Sequence, residues 1–157
     1  MTDYKDTPMR MAHHRHAISG YVFLVNNRAI SWSSKKQELV TLSTTESEYV
    51  AATYAAKEAL WLQWLIGEVF QPLKEPLPLY SNSQSAIALT KDGLYHAHTK
   101  HINRYNFIWY VIKEGSINLI YCLTEDMTAN ILIKALPNSK AKHFAKSLGL
   151  LPAWGGV

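Results

Sequence analysis

The sequence predicts a mixed α/β fold, a sheet with helices packed on it. Three observations predict it. Two short apolar segments, Tyr21-Val22-Phe23-Leu24-Val25 and Ala29-Ile30-Ser31-Trp32-Ser33, flank Asn26-Asn27, a pattern that reads as a hairpin. A long stretch rich in Ala, Leu, Glu and Lys follows, with Ala52, Ala56, Leu60 and Trp64 at helical spacing. From residue 79 onward, strand-like and helix-like patterns alternate. With 48% hydrophobic and 18% charged residues the chain is expected to fold rather than remain disordered. Its 157 residues fit one domain, read as residues 1–150 with a flexible tail over 151–157.

Each element has its own reason. Residues 1–18 are polar and irregular. Asn tolerates positive φ, so Asn26-Asn27 suits the tight turn between the first two strands. A third short strand is expected over 39–42. A helix is expected from Ser43 to about Glu68: Ser43 and Glu46 have capping-box spacing, so the hydroxyl covers one free backbone N–H and the carboxylate reaches back to another. Gly67 weakens its last turn and Pro72 marks the loop beyond. A strand is expected at Leu79-Tyr80-Ser81, then a short helix capped by Ser83 or Ser85 and broken at Asp92-Gly93. A helix over 101–112 ends near Gly115. Ile117, Leu119 and Tyr121 alternate on one face of the next strand. A helix over 127–136 stops at Pro137, and a final helix covers 141–148.

The net charge of +4 and a pI near 9.1 suit an anionic partner such as nucleic acid, and equally a mildly basic surface. The lone Cys122 excludes an internal disulfide and reads as a small buried apolar residue. The first residues are polar, unlike a secretory signal, and no apolar run is long enough for a membrane span. An intracellular location, cytoplasm or nucleus, is expected, with no membrane partner.

Several motifs go further than this outline. They are Ser19-Gly20-Tyr21-Val22-Phe23, Ile30-Ser31-Trp32-Ser33-Ser34-Lys35-Lys36-Gln37, Leu42-Ser43-Thr44-Thr45-Glu46-Ser47-Glu48-Tyr49-Val50-Ala51 and Gln84-Ser85-Ala86-Ile87-Ala88-Leu89. Thr99-Lys100-His101-Ile102 and Lys134-Ala135-Leu136-Pro137 follow in order. Together they resemble the ribonuclease H domain of copia-type LTR retrotransposons, over roughly residues 2–150. The resemblance implies an RNase H-like mixed five-stranded sheet with flanking helices, its first strand truncated here. It implies hydrolysis of the RNA strand of an RNA–DNA hybrid with two divalent cations, Mg²⁺ or Mn²⁺, held by four carboxylates. One cation activates the attacking water and the other stabilises the leaving oxygen, and hard cations want oxygen ligands.

The resemblance also implies where those carboxylates belong. Thr2-Asp3 matches the first, with Asp6 as a fallback; both also read as solvated acids near the chain start. Glu48 matches the second and is taken as the site residue, the alternative being a surface acid near a helix N-terminus, favoured by the dipole. At the third, in Tyr80-Ser81-Asn82-Ser83, Asn82 stands where the family has aspartate. At the fourth, in Thr128-Ala129-Asn130, Asn130 does. Glu125 and Asp126 lie a turn away and read as poor substitutes. The expected catalytic set is therefore Asp3, Glu48, Asn82 and Asn130, with Asp3 and Glu48 as weak metal ligands and activity impaired. One residue is deleted after Asn103 relative to the family, which rotates the helix beyond it by about 100°.

Lys35 and Lys36 beside the hairpin, and Lys100, His101 and Arg104 in a second basic patch, are candidates for nucleic-acid contact. His13-His14-Arg15-His16 reads as a basic loop rather than a metal site. Trp32, Trp61, Trp64 and Trp109 read as core or interface residues. Three functions stay open: an active hybrid nuclease, an inactive module that binds nucleic acid or a reverse transcriptase domain, and a decayed reading frame.

Overall fold

The computed structural model describes residues 16–72, 75–91 and 107–150. Strand β1 (Ile18–Val25) turns through Asn26 and Asn27, both at positive φ (49° and 58°), into β2 (Arg28–Lys36). Two successive left-handed residues make the turn whose twist matches an antiparallel pair, which is why asparagines stand there. The pair runs from Ile18 opposite Lys36 to Val25 opposite Arg28, with an irregularity between Phe23 and Leu24.

The expected strand over 39–42 does not form; that stretch is an irregular bridge into the long helix. Buried Gln37 anchors its start. Its side-chain amide donates to Ser19 Oγ at 2.7 Å and to the Ser47 carbonyl at 2.8 Å, tying β1, the end of β2 and the helix start together. Helix α1 (Thr44–Val69) begins at Ser43 as the capping pattern predicts, with Glu46 N–H donating to Ser43 Oγ at 3.1 Å. The reciprocal bond runs one residue earlier than the standard box: Leu42 N–H donates to the Glu46 carboxylate at 2.8 Å.

Strand β3 (Leu77–Ser81) lies parallel to β4 (Ile117–Tyr121), with α2 (Gln84–Lys91) and α3 (Phe107–Lys113) described between them in sequence. Part of the helix expected over 101–112, its one-residue deletion and the Asp92-Gly93 break fall outside the described residues. The helix expected over 127–136 is a correction: only a 3-10 turn forms, over Thr128–Leu132. No side chain caps its start, and Thr128, Ile131 and Ile133 are β-branched, which disfavours an α-helix. The last helix, α4 (Asn138–Ser147), starts three residues earlier than expected, directly after Pro137.

The described strands form two two-stranded sheets, β1–β2 and β3–β4, in a mixed α/β arrangement. The core lies between α1 and the second sheet. Tyr49, Val50, Ala56 and Ala59 of α1 meet Leu79, Ile117 and Leu119, with Ala86, Ile87, Ile108 and Val111 from α2 and α3 completing it. Of the tryptophans expected in core or interface positions, three are not in the core but exposed, Trp32 by 64%, Trp61 by 51% and Trp64 by 62%. No described helix is long and apolar enough to cross a membrane.

Candidate functional site

A cavity of about 590 Å³ lies where β1, α1, β3 and the 3-10 turn meet. Three of the four expected site residues line it: Glu48, Asn82 and Asn130. The fourth, Asp3, lies outside the described residues, as does its alternative Asp6.

The local fold explains each placement. Glu48 sits in the first turns of α1, beside Ala51, Ala52 and Ala55, which line the same cavity. Asn82 follows directly on β3, where the strand ends. Asn130 lies in the 3-10 turn and is 5% exposed. Gly20 of β1 is where that turn comes closest: a Cβ there would stand 2.5 Å from Ile133 Cγ2. Sequence reasoning had not marked Gly20 for this role, although it belongs to the Ser19-Gly20-Tyr21 motif.

Both asparagines converge on Thr124. Asn82 Nδ2 donates to Thr124 Oγ1 at 3.2 Å, and Asn130 Nδ2 donates to the Thr124 carbonyl at 3.0 Å. The second bond is specific to an amide, because a carbonyl only accepts and an ionised carboxylate cannot donate. Thr124 is thus a hub that the residue pattern had not revealed.

Burial raises the Glu48 carboxyl above its ordinary range, and nearby Lys134 partly offsets this by favouring the charged form. The Tyr49 hydroxyl, beside it in sequence, is pushed up to about 12 by burial, and it is buried without a hydrogen-bond partner among the described residues. Asp126, read from sequence as badly placed, lines the cavity too. It sits in a turn instead of a helix, so helical spacing misjudged it. Cys122 also lines the cavity; it is only half-buried, and burial together with Asp126 raises its thiol pKa.

Lys35 and Lys36 lie at the far end of β2, exposed and not among the cavity's lining residues. Lys35 pairs with Glu38 at 3.1 Å. Lys100, His101 and Arg104 fall outside the described residues, as do the first three members of the His13-His14-Arg15-His16 cluster. Among the described residues no three or more His, Cys, Asp or Glu are grouped so that they could hold a metal ion.

The chain is 40% identical over 137 residues to the retrovirus-related Pol polyprotein from transposon TNT 1-94 of Nicotiana tabacum, covering 87% of this chain and 10% of that protein. It is 32% identical to the corresponding polyproteins from transposons RE2 and RE1 of Arabidopsis thaliana, over 88% and 84% of this chain and 10% and 9% of theirs. Over most of its length the chain is thus homologous to Pol polyproteins of plant transposons, and it spans about a tenth of the length of these relatives. No family model matches the sequence, and no solved structure matches the fold.

Proposed function

We propose that this region of a retrotransposon Pol polyprotein is a ribonuclease H-like domain of the copia type whose two-metal site has decayed, leaving hydrolysis of RNA–DNA hybrids weak or lost. The observation that carries the reading is the convergence of Glu48, Asn82 and Asn130, from three separate elements, on one cavity. These are the positions the resemblance assigns to three of the four metal-binding acids. In this reading the four described strands belong to the family's five-stranded sheet, and Asp3 belongs to the fifth.

The residues around the cavity do not fit a pair of divalent cations. Two dications held close together need several negative oxygen ligands. Among the described residues the lining offers two carboxylates, Glu48 and Asp126, and Lys134 already acts on Glu48. At the other two positions neutral amides direct their nitrogens at Thr124. Their hydrogen bonds link the end of β3 to the 3-10 turn through Thr124, with no cation between them.

Calorimetric titration with Mg²⁺ and Mn²⁺, paired with a cleavage assay on an RNA–DNA hybrid, tests this. The expected outcome is no stoichiometric two-site binding and no metal-dependent product. Tight binding of two ions, or manganese-dependent cleavage, overturns it.

A second reading rests on the exposed Lys35 and Lys36: the domain binds nucleic acid, or a reverse transcriptase domain, without cutting. Affinity for hybrid that falls steeply with salt, and a shallower slope in the Lys35→Ala/Lys36→Ala double variant, would favour it.

A further inference from the structure

The second half of α1 has two contrasting faces. Ala55, Ala56, Ala59 and Leu62 are buried and face the core. Lys57, Trp61, Trp64 and Glu68 fall on the opposite face. Their spacing of four, three and four residues returns to one side of a helix at each step. All four are exposed, and exposed Leu65 flanks the tryptophans. Two large rings one turn apart on open surface mark a contact site, because water gains little from indole faces.

The stripe is also ordered by charge, with a cation at one end, an anion at the other and the rings between. The midpoint of Lys57 and Glu68 is the midpoint of Trp61 and Trp64, so the stripe is complementary to itself. Across a two-fold axis through that point, with the helices antiparallel, Lys57 meets the partner's Glu68 and Trp61 meets the partner's Trp64, each twice. A parallel pairing sets like charges together instead. Among the described residues neither Lys57 nor Glu68 is in an ion pair, which joins Lys35 to Glu38 alone. The Lys57 ammonium stands 5.6 Å from the centroid of the Phe107 ring and stays exposed.

We propose that this face of α1 is the interface of a two-fold dimer with a second copy of this chain, the two helices packed antiparallel. Two tryptophans a side are far fewer than the roughly 20–30 residues a side of a stable interface, so the dimer is weak and forms by concentration. The inference rests on α1 alone and holds whether or not the domain ever cuts RNA.

Sedimentation equilibrium of the full 157-residue chain at low salt, from ~1 µM to ~0.5 mM, tests it. The expected result is a reversible monomer–dimer equilibrium. Trp61→Ala/Trp64→Ala should weaken it by about tenfold or more. Lys57→Glu and Glu68→Lys, each alone, set like charges together twice and should weaken it by about threefold or more. In the double variant Lys57→Glu/Glu68→Lys the charges trade places, and the dimer should return; it should return too when the two single variants are mixed. Circular dichroism checks the fold of each variant. If Lys57→Glu, which also gives up the Phe107 contact, fails to fold, Glu68→Lys and the tryptophan variant decide. The proposal is overturned if the chain is a monomer throughout, if the tryptophan or single-charge variants associate as the parent does, or if trading the charges does not restore what each single change loses. None of these outcomes bears on metal binding or hybrid cleavage, so this inference and the nuclease reading fail separately.

Discussion

The two sheets of this molecule are held together differently. The parallel pair is a core element: Leu79, Ile117 and Leu119 are all buried, and α1, α2 and α3 cover them. The antiparallel pair is a surface element. Along β2 residues alternate between half-buried and exposed, with Ile30 and Trp32 pointing outward. Tyr21 and Phe23 of β1 pack on the core only from half-buried positions, and the Asn26-Asn27 turn and polar ties add to its placement: Ser31 Oγ to Glu58 at 2.6 Å, Ser34 Oγ to the Leu132 carbonyl at 2.6 Å, and the Gln37 bonds. One sheet is specified chiefly by full burial, the other by partial burial helped by turn chemistry and hydrogen bonds, and the candidate site lies between them.

That contrast is sharpest in the response to truncation. Ile117→Ala should cost about 2–5 kcal/mol in urea unfolding, the usual toll for emptying a closed core position. Ile30→Ala on the exposed face of the hairpin should cost no more than about 0.5 kcal/mol. Equal costs would break the comparison.

At the boundary between the sheets the two asparagines should part company. Asn130→Asp should destabilise the chain by about 1–3 kcal/mol at neutral pH, because a buried carboxylate then faces the Thr124 carbonyl with no proton to share. Asn82→Asp should change stability by no more than about 0.5 kcal/mol, because the Thr124 hydroxyl can turn and donate to the new carboxylate. Both variants are read by the same urea titration. It follows that putting both acids back need not restore a nuclease: one of them must first displace a structural bond. Gly20→Ala, on the hairpin side, should cost about 1 kcal/mol or more, since its Cβ must push the branched Ile133 side chain away.

Much of this organisation was legible in the residues. The hairpin followed from two asparagines between apolar runs, the start of α1 from Ser43 and Glu46, and β4 from the alternation of Ile117 and Leu119. Those signals are local, and the structure keeps them. The failures are of another kind. Residues 39–42 have the composition of a strand but no neighbour to pair with, and strand propensity without a partner is weak. Residues 127–136 have helix-like spacing, yet β-branched side chains and a missing cap leave only a 3-10 turn. That one error displaced Asp126, which as a turn residue reaches the cavity. Glu48, Asn82 and Asn130 were found through motif order, whereas Thr124, which joins the last two, carries no motif and becomes visible only when the strands are placed.

The last expected effect concerns Glu48, a carboxylate at the site whose burial works against its charge. Its carboxyl is raised by burial from an ordinary value of 4.5, against a partial opposing pull from Lys134. Below that ordinary value the group is protonated in both folded and unfolded chains and contributes nothing to the pH dependence. Between the ordinary and the raised value the folded chain holds more protons than the unfolded one, so stability falls as pH rises. Above both, the penalty of a half-buried carboxylate is present in full. Glu48→Gln removes it, and should raise Tm at ~pH 7.5 while leaving Tm unchanged near ~pH 4 or below, where carboxylates are mostly protonated. Solvent reaches the group, so the gain should stay within about 1 kcal/mol. A variant that melts lower than the parent at neutral pH would show that the charge on Glu48 stabilises the junction of the two sheets. The site would then be a working electrostatic contact and not a remnant.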